Sequence, residues 1–181
     1  SILFIVALGV AFFSGIRAPE PDMRTTGDAW FDSENLMDIK ALSTYGVTED
    51  DVAAFQDLDG VELAEGSYSA DFLHNTSDDQ RVLHVMGQQE KMNRIVVSEG
   101  RMPEKVGECL VDDASDYQVG DEIVLSSGTE DPVSDTLKTD IFTVTGRGNT
   151  AAYVSFGRGS ATIGTGNIYA FVVVPPETFA L

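Results

Sequence analysis

SILFIVALGVAFFSGI, residues 1–16, carries no charge and no proline, and Arg17 follows at once. Nothing else in the chain resembles this stretch, and from Pro19 onward the sequence is polar and acidic. Its sixteen residues, as a helix, span about 24 Å, whereas a bilayer core of about 30 Å takes about 20 apolar residues. The expectation is therefore the outer end of a transmembrane helix whose cytoplasmic end lies before Ser1. A signal-peptide core fits less well: it is shorter, starts basic and ends at a small-x-small site. Here Ile16-Arg17-Ala18-Pro19 places a proline after the candidate bond. A buried helix of a soluble domain would have a polar face, and this one is apolar all round.

Working outward, Ala18 to Asn35 is polar with Pro19, Pro21 and Gly27 near its start. Pro21 suits the first turn of a helix, so the segment reads as a stalk prolonging the membrane helix. Trp30 and Phe31 would lie about 21 Å beyond Ile16, too far for an interfacial belt, and are expected to pack on the following domain. That gives two units, 1–35 as membrane-helix end and stalk, and 36–181 as a domain outside the membrane.

Composition narrows the partners. With 11 Lys plus Arg against 30 Asp plus Glu, the formal charge is -19. Phosphate binding needs clustered cations, so nucleic acid is not expected as a partner and contact with anionic headgroups is disfavoured. The single cysteine, Cys109, rules out an internal disulfide and reads as a small buried residue on a strand.

Periodicity then gives an α+β domain, mostly antiparallel. Leu36–Thr44 alternates as a strand. Thr48 and Asp51 form a capping box for a helix through Leu58, with Val52, Phe55 and Leu58 on a core-facing side and Gly60 ending it. A strand is expected from Val61. Residues 66–75 and 81–87 read as a hairpin across 76–79. Further strands are expected at 93–98, 108–111, 122–126, 140–145 and 167–174, with a glycine-rich loop over 146–166 and a helical start after Pro175-Pro176.

Candidate chemistry is sparse. His74 and His84 are the only histidines and are expected to face each other across the hairpin; two ligands fall short of a zinc site. Asp112, Asp113, Asp116, Asp121 and Glu122 lack the spacing of a calcium loop, and Asp57-Leu58-Asp59-Gly60 has no closing glutamate. They read as solvated acids. Gly157-Arg158-Gly159 and Gly164-Thr165-Gly166 lack the lysine and following helix of a phosphate loop, and no nucleophile elbow surrounds Ser14 or Ser155. No catalytic, cofactor-binding or metal-binding residue is assigned, and the chain is not expected to be an enzyme.

The order of segments nonetheless resembles a family. ALGVAFFSGI, PDMRTTGDAWFD, NLMDIKALSTYGVT, EDDVAAFQDLDGV, SEGRMPEKVGECLVDD, YQVGDEIVL, FTVTGRG and NIYAFVVVPPETF follow one another as in the N-terminal half of FtsX-like ABC-transporter permeases, whose outer part is called the MacB-like core domain. Gly100-Arg101-Met102-Pro103, Gly107-Glu108 and Val119-Gly120-Asp121 carry the resemblance most strongly. It implies a first membrane helix, an extracytoplasmic MacB-like core domain left incomplete at Leu181, and three further membrane helices. The implied role is to transmit ATP-driven conformational change across the cell membrane for export, lipoprotein release or envelope signalling. The implied partners are a cytoplasmic ABC ATPase and a second permease copy. The rival readings are a single-anchor binding or adhesion module and an enzyme secreted behind a signal peptide.

Overall fold

In the computed structural model, residues 2–43, 45–77, 79–155 and 157–180 are described, so Ser1, Thr44, Asp78, Phe156 and Leu181 lie outside the description. Helix α1 (Ile2–Arg17) passes through Ala18 into α2 (Pro19–Ser33) with little break. Ala18 keeps right-handed helical angles and its N–H donates to the Ser14 carbonyl at 2.9 Å. Pro19 opens α2, where a missing N–H costs little. Together they make 32 residues, long and apolar enough to cross a membrane, or roughly 48 Å of helix.

The rest is a β-rich domain. Its strands are β1 (Ser69–Asn75), β2 (Gln80–Gly87), β3 (Ile95–Gly100), β4 (Glu108–Asp112), β5 (Glu122–Ser126), β6 (Ile141–Thr150) and β7 (Ile168–Val174). They pair in the order β3-β6-β4-β7-β2-β1-β5, and β5 returns to β6. The sheet thus closes into a six-stranded barrel with β3 hung on its outside. Closure removes open edges from those six strands. The β2–β7 and β4–β6 pairs are parallel and the others antiparallel.

Alternation along β7 shows how the wall is filled. Ala170, Val172 and Val174 point into the barrel with Leu83, Val85, Cys109, Val111, Phe142 and Val144. Phe171 and Val173 point outward and are buried too, with Leu110 and beneath Ile95, Val97, Met102 and Tyr153. A strand covered on both faces needs the unbroken apolar run that β7 has. Burial pushes the Cys109 thiol up to about 12, so it stays a neutral packing group.

Several expectations need correction. Leu36–Thr44 joins no ladder among its described residues, and 61–68 forms no strand. Alternation qualifies a segment for a sheet face but cannot supply the neighbour that accepts it. The capping box forms, with Thr48 Oγ1 accepting from Asp51 N–H and the Asp51 carboxylate from Thr48 N–H. Yet α3 (Glu49–Gln56) ends before Leu58 and has no fully buried residue; Val52 is half-buried and Phe55 is 44% exposed. Gly60 falls in the turn beyond the helix, at φ 87°. Strand β6 runs on through Gly146 to Thr150, where the glycines suggest a loop. Gly146 sits opposite Gly100, and a Cβ there would strike the Arg101 backbone. Glycine inside a strand here marks a close crossing.

Candidate functional site: the stalk–barrel junction

The site begins with how α2 stops. Leu36 N–H reaches the Phe31 carbonyl at 3.0 Å and Asn35 N–H the Asp32 carbonyl at 3.2 Å. Asn35 lies in the left-handed region, at φ 52°. This is a Schellman ending with asparagine in the place glycine usually takes.

The same turn is fastened to the barrel. Asn35 Nδ2 donates to the Lys91 carbonyl at 2.6 Å, and its own carbonyl accepts from Asn93 N–H at 2.9 Å. Asn93 Oδ1 in turn accepts from Met37 N–H at 3.1 Å, and Arg94 N–H reaches the Glu34 carbonyl at 3.0 Å. Asn93 is also left-handed, at φ 48°. Two asparagines thus bind each other's segments reciprocally, and Asn93 leads within two residues into β3.

Glu65 secures the same turn from the other side. Its carboxylate accepts from Glu90 and Met92 N–H at 2.8 Å and from Lys91 N–H at 3.2 and 3.3 Å. Three successive N–H groups around one carboxylate form a backbone nest. Residues 36–65 therefore leave the junction and return to it as one excursion. Gln56 braces that excursion through the Glu62 carbonyl and Ala64 N–H. Several of its large apolar residues remain exposed, Ile39 at 85% and Tyr45 fully, while Leu36, Met37, Val47, Val52, Val61 and Leu63 are half-buried.

Beside the junction, Trp30 faces the outer wall of the barrel across an open groove of about 430 Å³, lined also by Asp113, Ala114, Asn149, Thr150, Tyr153, Val154, Ser155 and Arg158. A shallow apolar depression along Ile2–Ala11 is the bare flank of α1 and holds no polar chemistry. Arg158 grips the buried Asp112 through Nε and Nη2 and ties the 153–155 backbone down through Nη1. Tyr153 stacks on Phe171, centroids 5.2 Å apart, and its hydroxyl titrates above its ordinary value, chiefly from burial and then from the charge of Asp71.

The two histidines do not meet. The hairpin closes on Asn75–Gln80, which places His74 opposite Arg81 and Asp71 opposite His84. His84 Nδ1 lies 2.6 Å from Asp71 Oδ1, and His74 Nδ1 lies 3.0 Å from the Val124 carbonyl. Among the described residues, no group of three or more His, Cys, Asp and Glu could hold a metal ion. The acids are not a uniformly solvated run. Asp112 is buried against Arg158, and Asp113 accepts from Ser98 Oγ at 2.6 Å. Asp116 takes both Arg81 amino groups and the Tyr169 hydroxyl, and Arg81 first, then Tyr169, hold its carboxyl below its usual range. Gly157-Arg158-Gly159 is likewise an anchor through Arg158. The junction itself escapes a reading of the sequence; Asn35 directly after a helical pattern is the one signal for it.

Gly100–Arg101 and Gly107–Glu108 also prove structural. Arg101 holds Glu108 by two bonds, 2.9 and 2.7 Å, and Glu104 N–H adds a third at 3.0 Å, closing the 101–108 loop. These bonds, Arg101 first, hold Glu108 down at about 2. At Val119-Gly120-Asp121, Gly120 N–H and the Asp121 carbonyl pair with Val144 and seat the turn into β5. No family model matches the chain, and no curated protein matches it.

Proposed function

We propose that this chain is the extracytoplasmic part of an ABC-transporter permease subunit of the FtsX-like group, with a MacB-like core domain. In this reading α1 lies in the membrane, α2 is a lever, and the barrel with its 36–65 excursion stands on the outer side. The chain performs no chemistry; it passes ATP-driven motion outward for export, lipoprotein release or envelope signalling. A cytoplasmic ABC ATPase supplies the energy, and a second permease copy completes the assembly.

The observation that carries this reading is the junction. A tether needs only length, whereas a lever needs a stiff rod and a fixed joint. The helix runs from Ile2 to Ser33, and its last turn is bonded to residues 91–94, which feed β3. The exposed Ile39, Leu42 and Tyr45 favour a second reading, a single-anchor binding or adhesion module. Purification of the native protein from membranes in mild detergent separates the two. The proposal expects a nucleotide-hydrolysing subunit in stoichiometric amount, with hydrolysis altered by Asn35→Pro. Recovery of the protein with no ATPase supports the adhesion module instead.

A further inference from the structure

The groove between α2 and the barrel wall has an unbalanced charge. Of its lining residues only Asp113 and Arg158 are charged. Arg158 is committed to Asp112 by two hydrogen bonds. Asp113 accepts one bond, from Ser98 to Oδ1, and among the described residues its Oδ2 accepts none. The nearby Arg147 binds the Asp113 and Ser115 carbonyls and lies 3.7 Å from Glu99, and among the described residues it makes no ion pair with the Asp113 carboxylate. Two aromatic residues line the same groove, Trp30 from the stalk and Tyr153 from the wall. The whole chain, at -19, repels anions and draws cations toward it.

The Tyr153 ring already has the Arg158 guanidinium 5.7 Å from its centroid, and a carboxylate with a free oxygen in a groove that Trp30 also lines is the chemistry that recognises a further, organic cation. The volume, about 430 Å³, lies within the range of small-molecule sites. We propose that this groove binds a small organic cation, a guanidinium or ammonium on a short aliphatic stem. The charge sits at Asp113 Oδ2 and the stem lies along Trp30 and Tyr153. One wall is the stalk and the other is the barrel, so occupancy fixes their spacing. The site stands whether or not the stalk transmits motion.

Trp30 is the only tryptophan in the chain, so its fluorescence reports on the groove without a label. The full chain in detergent micelles is titrated with agmatine at constant ionic strength, sodium chloride making up the balance. A saturable change in Trp30 emission is expected. Asp113→Asn keeps the acceptor for Ser98 and should weaken the apparent Kd by about tenfold or more, the loss expected for a charged hydrogen bond. Tyr153→Leu should weaken it as well, while Asp131→Asn, an exposed acid elsewhere, should match wild type. Calorimetric titration of the same variants guards against a silent fluorophore. A linear response, equal affinity in Asp113→Asn, or binding of tri-arginine but not agmatine would each overturn the proposal.

Discussion

Asp112 and Arg158 form the most consequential pair of single residues. Asp112 is 1% exposed and Arg158 10%, and removing one partner of such a pair strands a buried charge at a cost of about 3–5 kcal/mol. Arg158→Met should therefore lower the denaturation free energy by about that amount, and adding Asp112→Asn should restore part of it. A urea melt with no loss in the single variant would mean that water reaches Asp112. The Arg101–Glu108 pair makes a pH prediction instead. Folding depresses the Glu108 carboxyl from 4.5 to about 2, through Arg101 first and then the Glu104 N–H. A depressed carboxylate stabilises fully above its unfolded value and loses that contribution as pH falls through its folded one. The melting-temperature gap between wild type and Glu108→Gln should be constant above about pH 5 and close toward pH 2. A gap that persists unchanged at pH 2 would show that shape, not charge, accounts for the effect of Glu108.

Among the elements, the contrast between α3 and β6 is the sharpest. Phe55 is 44% exposed while Phe142 is 1%. Phe142→Ala should cost roughly 3–5 kcal/mol, and Phe55→Ala no more than about 0.5 kcal/mol, as at other surface sites. Equal losses in thermal melts would place α3 in a core. Most barrel strands are legible in the sequence, because alternation and flanking turn residues record how each faces a wall. The closing of the sheet is not, since the β1–β5, β2–β7 and β4–β7 pairings join strands that lie far apart in the chain. Leu36–Thr44 misleads because a strand's pattern is local and its partner is not. Gly146 misleads because glycine serves a close crossing as well as a loop. The capping box at Thr48 is legible, being complete within four residues. The Asn35–Asn93 clasp is not, because its halves are 56 residues or more apart.

The whole molecule carries 30 acidic against 11 basic side chains, and such self-repulsion opposes compactness. Salt shortens the range of that repulsion from about 10 Å at 0.1 M to about 3 Å at 1 M. The melting temperature should rise steadily over that interval in sodium chloride; a flat or falling curve would show that local pairs such as Arg81–Asp116 already neutralise the surface. At the same scale lies the claim that the helix from Ile2 to Ser33 and its clasp act as a lever. Gly27 meets no neighbour and is already a soft point within α2. Two or three glycines inserted after Arg24 leave the clasp and the barrel intact but break the rod. The decisive measurement is transport or signalling output per ATP hydrolysed, in membranes, for this insertion against wild type. The lever predicts that ATP hydrolysis continues while output per ATP collapses; full retention of output would contradict it.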